Sequence, residues 1–326
     1  MRASTSTGSR GFRSGSGLGA EVGRRRRHDG PDGVAVVDKP AGWTSHDVVA
    51  RARKLLNTSR VGHSGTLDPD ATGVLLLGVG RATRLLRFTS EHTKSYVCEI
   101  VLGTETNTLD AAGEVTATHD MSGVADDDVL AAAAALTGDL LQVPPMVSAV
   151  KIDGKRLHEL AREGIEVERA PRPVTVSRFD VTPVDGQPGV WRAEVDCSSG
   201  TYVRVLAADL GHALGGGAHL RELRRTAIGP FTVADAVALD DLGPEAVRPP
   251  LALVADRAAA QVDDAVALDV AHGKVLPVEI IGPPLADGAE LPTWWPVLAP
   301  DGSLLAIYEP HRGGTAKPAV VLVGSD

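Results

Sequence analysis

The sequence is poor in the residues that mark metal centres, disulfide scaffolds and membrane spans. Only two of its 326 residues are cysteines, Cys98 and Cys197, far apart and without a CxxC spacing. That argues against a zinc site and a disulfide framework and fits a reducing compartment. No run of 18 or more apolar residues occurs, and the opening segment MRASTSTGSRGFRSGSG is basic without an apolar stretch. Neither a membrane helix nor a secretory leader is therefore predicted. The expectation is a soluble, cytoplasmic chain. Two familiar motifs are also missing. Gly62-His63-Ser64-Gly65 has Thr66 where a nucleophile elbow needs its second glycine, and Gly78-Val79-Gly80 has Thr83 where a dinucleotide loop needs its third. No phosphate-binding loop and no helical histidine pair are found, so no metal is expected. Aromatic residues make up 3% of the chain, so each tyrosine is worth locating.

Apolar residues, at 43%, are ample for a core, and the length predicts one large domain plus something smaller. The net charge of -9 is unevenly spread. Residues 1–29 hold seven arginines against Glu21 and Asp29, and residues 235–326 hold five basic against 14 acidic residues. Between them, residues 51–94 carry eight basic residues against Asp68, Asp70 and Glu91. A phosphate backbone responds to the local field of a cleft, so an acidic whole is compatible with a basic site.

Residues 1–30 read as a disordered basic tail. Strands are predicted at Val34–Val37 and in KSYVCEIVLG, RPVTVSRFDVTPV and VWRAEVDC. Helices are predicted after Thr44 or Ser45, in DDDVLAAAAALTGDL, and after the Ser198-Ser199-Gly200 turn up to Gly211 or Gly215–Gly217. A short helix is also expected around Leu157 and Leu160. The interleaving lacks strict βαβ alternation and predicts an α+β fold with a mixed, largely antiparallel sheet. The proline-rich GPEAVRPP divides a body at 31–240 from a small acidic module at 250–326.

The stretch RVGHSGTLDPDATGVLLLGVG, residues 60–80, places Asp68 between Leu67 and Pro69 at the edge of an apolar run. An aspartate before proline commonly orders a turn or caps a helix. Three features suggest more. Gly62 and Gly65 allow close approach of a bulky ligand. Arg204, after the turn, is a candidate to hold a carboxylate ionised and oriented. Tyr96 and Tyr202 offer flat rings for stacking on a base.

GHSGTLDPDATGVLLLGVGRATRL (62–85) closely resembles the catalytic motif of the bacterial TruB family of tRNA pseudouridine-55 synthases. GVAVVDKPAGWTSHDVV (33–49), KSYVCEIVLGTETNTLDAAGEV (94–115), QVPPMVSAVKIDGKRLHELAREGIEVER (142–169) and DCSSGTYVRVLAADLGHALGGGAHLRELRRTAIGPF (196–231) follow in the family's order. The resemblance implies the pseudouridine synthase fold with a small C-terminal PUA-like domain, hinted at by LDVAHGKVLPVEI (268–280). It further implies an isomerase that detaches uracil from its ribose, turns it and rejoins it through C5, with no cofactor and no membrane partner. The substrate would be the T arm of tRNA, met by a monomer, and a tRNA-folding chaperone activity would accompany catalysis. Asp68 would be the catalytic group, adding to the base, adding to C1′ or abstracting the C2′ proton. Tyr96 would stack on the uracil and help remove the C5 proton, and Arg204 would pair with Asp68. His63, Lys39, Tyr202 and Leu223 would bind substrate. Arg60, Lys151, Lys155, Arg156, Arg224 and Arg225 are expected to meet the RNA backbone.

Overall fold

The computed structural model describes residues 30–148, 151–152, 155–157, 160, 163–286 and 288–323. The basic tail therefore lies outside the described residues, as do parts of the short helix expected around Leu157. Ten strands form the main sheet. In chain order they are β1 (Gly33–Lys39), β2 (Val61–Ser64), β3 (Thr72–Val79), β4 (Lys94–Leu102), β7 (Gly138–Gln142), β10 (Arg172–Pro183), β11 (Val190–Cys197), β12 (Ala218–Ile228), β13 (Phe231–Thr232) and β14 (Val237–Ala238). Two small hairpins, β5 (Thr104–Thr106) with β6 (Val115–Thr118) and β8 (Lys151–Ile152) with β9 (Lys155–Arg156), stand apart from it. The main path runs β14-β1-β3-β12-β4-β11-β10-β7, with β2 hung on β3 and β13 on β12. Only β1 with β14 and β3 with β12 are parallel; the other pairs in this sheet are antiparallel. The sheet is mixed and largely antiparallel.

The apolar run Val74–Leu77 becomes the middle of β3, and all four side chains are fully buried. A strand covered on both faces needs no polar alternation, and its side chains still divide by parity. Val74 and Leu76 join Val34 and Val36 under Ala82, Leu85 and Phe88 of the 3-10 helical segment Gly80–Glu91. Leu75 and Leu77 join Ala35 and Val37 under Val48, Val49 and Ala52 of the Ser45–Leu55 helix. That helix starts where Thr44 caps it, with Asp47 completing a reciprocal capping box. The other half of the sheet packs under the Asp126–Ala135 and Val203–Ala213 helices.

A second, five-stranded sheet, ordered β15-β17-β18-β19-β16, follows. Its strands are β15 (Ala260–Gln261), β16 (Leu276–Pro277), β17 (Trp295–Leu298), β18 (Leu304–Pro310) and β19 (Thr315–Val321). The helix, glycine turn and strand expected at 268–280 are the Asp264–Ala271 helix, Gly273 at φ 69° and the two-residue β16. The two sheets share core, since Trp294, Leu304, Ile307, Val320 and Leu322 pack with Val34 and Leu76. No helix among the described residues is long and apolar enough to cross a membrane.

The parallel contact of β3 and β12 pairs Thr72 with Arg224 and Gly73 with Arg225. Gly73 has φ +99°, and a Cβ there would stand 2.1 Å from the Arg225 carbonyl oxygen. Gly73→Ala is expected to destabilise the protein by at least about 3 kcal/mol through strain and overpacking. Gly302→Ala, at φ +82° with open space around it, should cost only about 1 kcal/mol. Urea unfolding midpoints of the two variants check the contrast.

Candidate active site

The loop between β2 and β3 carries Asp68, and its neighbours are tied down on both sides. The Ser45 hydroxyl, 1% exposed, accepts from the Leu67 amide at 2.9 Å and donates to the Leu67 carbonyl at 3.2 Å. On the other side the Pro69 carbonyl accepts from the Lys39 ammonium at 2.8 Å and from the Gly42 amide at 3.0 Å. Arg225 donates to the Gly65 carbonyl at 3.1 Å. The residue before a proline is already restricted, and these five bonds fix the direction of its side chain.

Asp68 opens onto a cleft of about 250 Å³ that Tyr96, Tyr202, Arg204, Leu223, Lys94 and Arg225 help to line. Arg204 grips it twice, Nε to Oδ2 at 3.2 Å and Nη2 to Oδ1 at 3.3 Å. The arginine side chain is 6% exposed and the aspartate side chain 40%. Arg204 is itself held by the Asp110 carboxylate at 3.1 Å and by the carbonyls of Thr108 at 3.0 Å and Val147 at 2.9 Å. Its orientation is therefore set from behind. Burial pushes the Asp68 carboxyl above the ordinary carboxylate value, Arg204 and Lys39 pull it down, and Asp110 and Asp70 push it up. Tyr96 is pushed above the usual phenol value, chiefly by burial, so its hydroxyl keeps its proton at neutral pH.

The structure thus brings together Asp68, Tyr96, Arg204, Tyr202 and Leu223. Tyr202 begins the Val203–Ala213 helix, where its backbone amide donates to the buried Gln142 side chain at 2.9 Å. Lys39 sits elsewhere. It is fully buried, and its ammonium donates to the carbonyls of Pro40 at 2.9 Å, Trp43 at 2.6 Å and Pro69 at 2.8 Å. All three donors are used, so Lys39 positions the Asp68 loop and has nothing left for substrate. Desolvation lowers it to about 8. His63 lines an adjoining cavity, edge-on to His46 at 5.8 Å, and burial lowers its pKa, favouring the neutral ring.

The expected RNA-backbone cations divide. Arg224 and Arg225 alternate along β12, so they face opposite sides of the sheet. Arg225 is 1% exposed and donates to the Val74 carbonyl at 2.7 Å as well as to Gly65. It stands behind the cleft and offers no surface guanidinium to a phosphate. Arg224 grips Asp38 at 3.0 and 2.7 Å. Arg60 is exposed. The side chains of Lys151, Lys155 and Arg156 lie outside the described residues. Within the basic 51–94 stretch, Arg81 donates to the Leu322 carbonyl at 2.6 Å, Arg84 to that of Val321, and Arg87 to that of Ala319 at 3.1 Å. These three tie the last strand of the second sheet to the 3-10 segment that covers the first.

Sequence reasoning missed Ser45 as an anchor and Asp110, and counted Lys94 only among the basic residues of 51–94. Asp110 in Thr108-Leu109-Asp110 reads only as a turn residue, and its partner is 94 positions away. Lys94 was legible in principle, because β4 alternates and places Lys94 on the same face as Tyr96, Cys98 and Ile100, all buried.

Solved structures share the fold. A Cbf5–Nop10–Gar1 complex matches with TM-score 0.70 and 27% identity over 90% of this chain and 85% of that one. An H/ACA RNP bound to a substrate RNA containing 2′-deoxyuridine matches with TM-score 0.68 and 25% identity, over 89% and 85%. Residues 53–203 match the family model described as TruB family pseudouridylate synthase (N terminal domain). Residues 204–248 match the tRNA pseudouridylate synthase B C-terminal domain, a segment ending short of residue 250 and holding Leu223 and Arg225. Fold and sequence together define a pseudouridylate synthase. "tRNA pseudouridine synthase B" of Rhodococcus jostii is 48% identical over 89% of this chain and 93% of its own length, and that of Thermobifida fusca 47% over 90% and 99%. The chain belongs to the TruB family.

Replacing Arg204 with glutamine removes the largest influence that lowers the Asp68 carboxyl. The Asp68 pKa, followed by carboxyl-carbon NMR titration, is expected to rise further. An unchanged or lower value would mean that the ion pair does not hold the carboxylate ionised.

Proposed function

We propose that this protein converts the T-loop uridine at position 55 of tRNA to pseudouridine, with Asp68 as the reacting carboxylate. The carrying observation is the two-point contact with Arg204 that orients Asp68 toward a cleft walled by Tyr96 and Leu223. The names of the curated relatives support the tRNA substrate.

The reaction is an isomerisation. The bond from C1′ to N1 breaks, the uracil turns, a bond from C1′ to C5 forms, C5 loses its proton and N1 takes one up. No atom is gained or lost, so the chain needs to supply only a nucleophile or base, a seat for the base and a path for one proton. Asp68 in its ionised form serves the first role by any of the three routes: attack on the base, attack on C1′ or removal of the C2′ proton. Arg204 keeps that form available in a cleft that otherwise disfavours charge. Tyr96, its phenol protonated, is read as the ring that stacks on the uracil; it is not the base that takes the C5 proton while that phenol keeps its own. Leu223 and Tyr202 close the apolar walls.

A uridine stacked in a folded loop must be extruded first, an unstacking cost of about a few kcal/mol. Contacts within the cleft and cationic contacts to the backbone offset it. We further read the protein as a cytoplasmic monomer that opens the tRNA elbow as it binds. This is the basis for a folding-chaperone role independent of Asp68. The acidic second sheet is read as the family's small PUA-like module.

Tritium release from tRNA labelled at uracil C5 tests the reading, without metal or nucleotide added. Wild-type release confined to the T-loop uridine is expected, with Asp68→Asn slower by more than about 10³-fold and tRNA binding largely kept. Release that survives the substitution would remove Asp68 from the chemistry. Because the ionised carboxylate is the working form and its pKa is raised, activity should fall as pH drops through a value above the ordinary carboxylate range. Arg204→Lys, which gives up the two-point grip, should move that acid limb to higher pH.

A further inference from the structure

Lys94 is a buried cation without a counter-ion. Its side chain is 7% exposed, and its ammonium makes one bond, to the His92 carbonyl at 3.2 Å. Among the described residues no carboxylate pairs with it; burial and, less strongly, the neighbouring Arg225 lower its pKa to about 8, with Cys197 opposing the fall. Arg225 spends donors on the Val74 and Gly65 carbonyls and also hydrogen-bonds the Tyr96 hydroxyl. An ammonium has three donors, so two remain. Burying charge unpaired is costly, and such a site is most favourable when an anion completes it.

The position of Lys94 says which anion. It lines the Asp68 cleft and also the adjoining cavity of about 300 Å³ that holds His63, Arg87, Ser90 and Ser199. No acid lines that second cavity. Three residues belong to both: Gly65, Lys94 and Ser199. Gly65, at φ +77°, leaves the boundary bare, since a Cβ there would stand 3.6 Å from Lys94 Cε and 3.4 Å from Arg225 Nη1. A strand with one nucleoside in the first cavity and its neighbour in the second must pass its linking phosphodiester across this boundary.

We propose that Lys94 and Ser199 seat the phosphodiester that joins the target uridine in the Asp68 cleft to the adjoining nucleotide in the His63 cavity. This rests on the Asp68 cleft being the seat of the target uridine. The phosphate supplies the missing counter-ion, accepts from the two idle Lys94 donors and from the Ser199 hydroxyl, and leaves Asp68 paired with Arg204 on the other side of the cleft. Lys94 thereby holds the backbone beside the uridine without touching the base.

The test uses T-arm stem-loop RNAs with a neutral methylphosphonate at the phosphate on the 5′ or the 3′ side of the target uridine. At one of the two positions the neutral linkage should weaken binding by the wild-type protein about tenfold, the scale of one charge-assisted contact. Lys94→Met should bind the normal RNA about tenfold more weakly, lose nothing more from that linkage, and show a log-log salt slope shallower by about 1. Its KM should rise while kcat changes little. Ser199→Ala, an exposed position that leaves the core intact, should show a smaller loss coupled to the same linkage and covers the case of a Lys94 variant that does not fold. If neither linkage costs the wild type anything, or the losses from linkage and variant simply add, the seat is wrong. Conversion of the unmodified stem-loop is read separately. Product without coupling sinks the seat alone, and coupling without product sinks the proposed reaction and leaves the seat standing.

Discussion

A half-exposed carboxylate whose burial favours the protonated form, gripped at two points by one arginine, is the interaction around which the cleft is arranged. Burial raises the Asp68 pKa, and the Arg204 guanidinium opposes the rise through two contacts. A guanidinium swinging free would give little, because an exposed ion pair contributes about 0–1 kcal/mol. Arg204 is instead locked by Asp110 and by the Thr108 and Val147 carbonyls. The second carboxylate has an opposing effect, since it also raises Asp68. It fixes the arginine at the expense of some of its pull.

The geometry on the Asp68 side descends from the sheet. β3 and β12 run parallel in the middle of a mostly antiparallel sheet, and Gly73 lets them approach closely enough for Arg225 to reach Val74 and Gly65. Lys39, at the end of β1, spends two donors on the carbonyls of its own turn, Pro40 and Trp43, and the third on Pro69 in the Asp68 loop. A loop normally carries the freedom of the surface. This one is bonded to β1, β12 and the Ser45–Leu55 helix, which removes that freedom; for the role proposed for Asp68, that would lower the entropy lost on reaching a reactive geometry.

What the sequence made legible and what it hid follow the same physics. The strand–helix order, the burial of Val74–Leu77 and the grouping of Asp68, Tyr96 and Arg204 could be read ahead, through hydrophobic patterning, turn chemistry and motif resemblance. The partners of the cations could not. A backbone carbonyl has no letter in the sequence, and Lys39, Arg81, Arg84, Arg87 and Arg225 all donate to carbonyls. The faces of Arg224 and Arg225 depend on the β12 register and on its irregularity next to Glu222, whose φ is 52°. Asp110 was hidden by sequence distance alone.

The carbonyl-bound cations matter for recognition. Counting basic residues over 51–94 suggests a broad electropositive face, yet several of those guanidiniums tie the last strand of the second sheet to the 3-10 segment that covers the first or pair with acids such as Asp240. A protein with net charge -9 then cannot rely on diffuse attraction, which falls off within about 10 Å at 0.1 M salt. A cation left unpaired in a cleft makes a stronger contact with an anion than one on an open surface, because desolvation raises the strength of each charge pair. A few such cations can therefore do for the proposed RNA contact what a broad field would otherwise do.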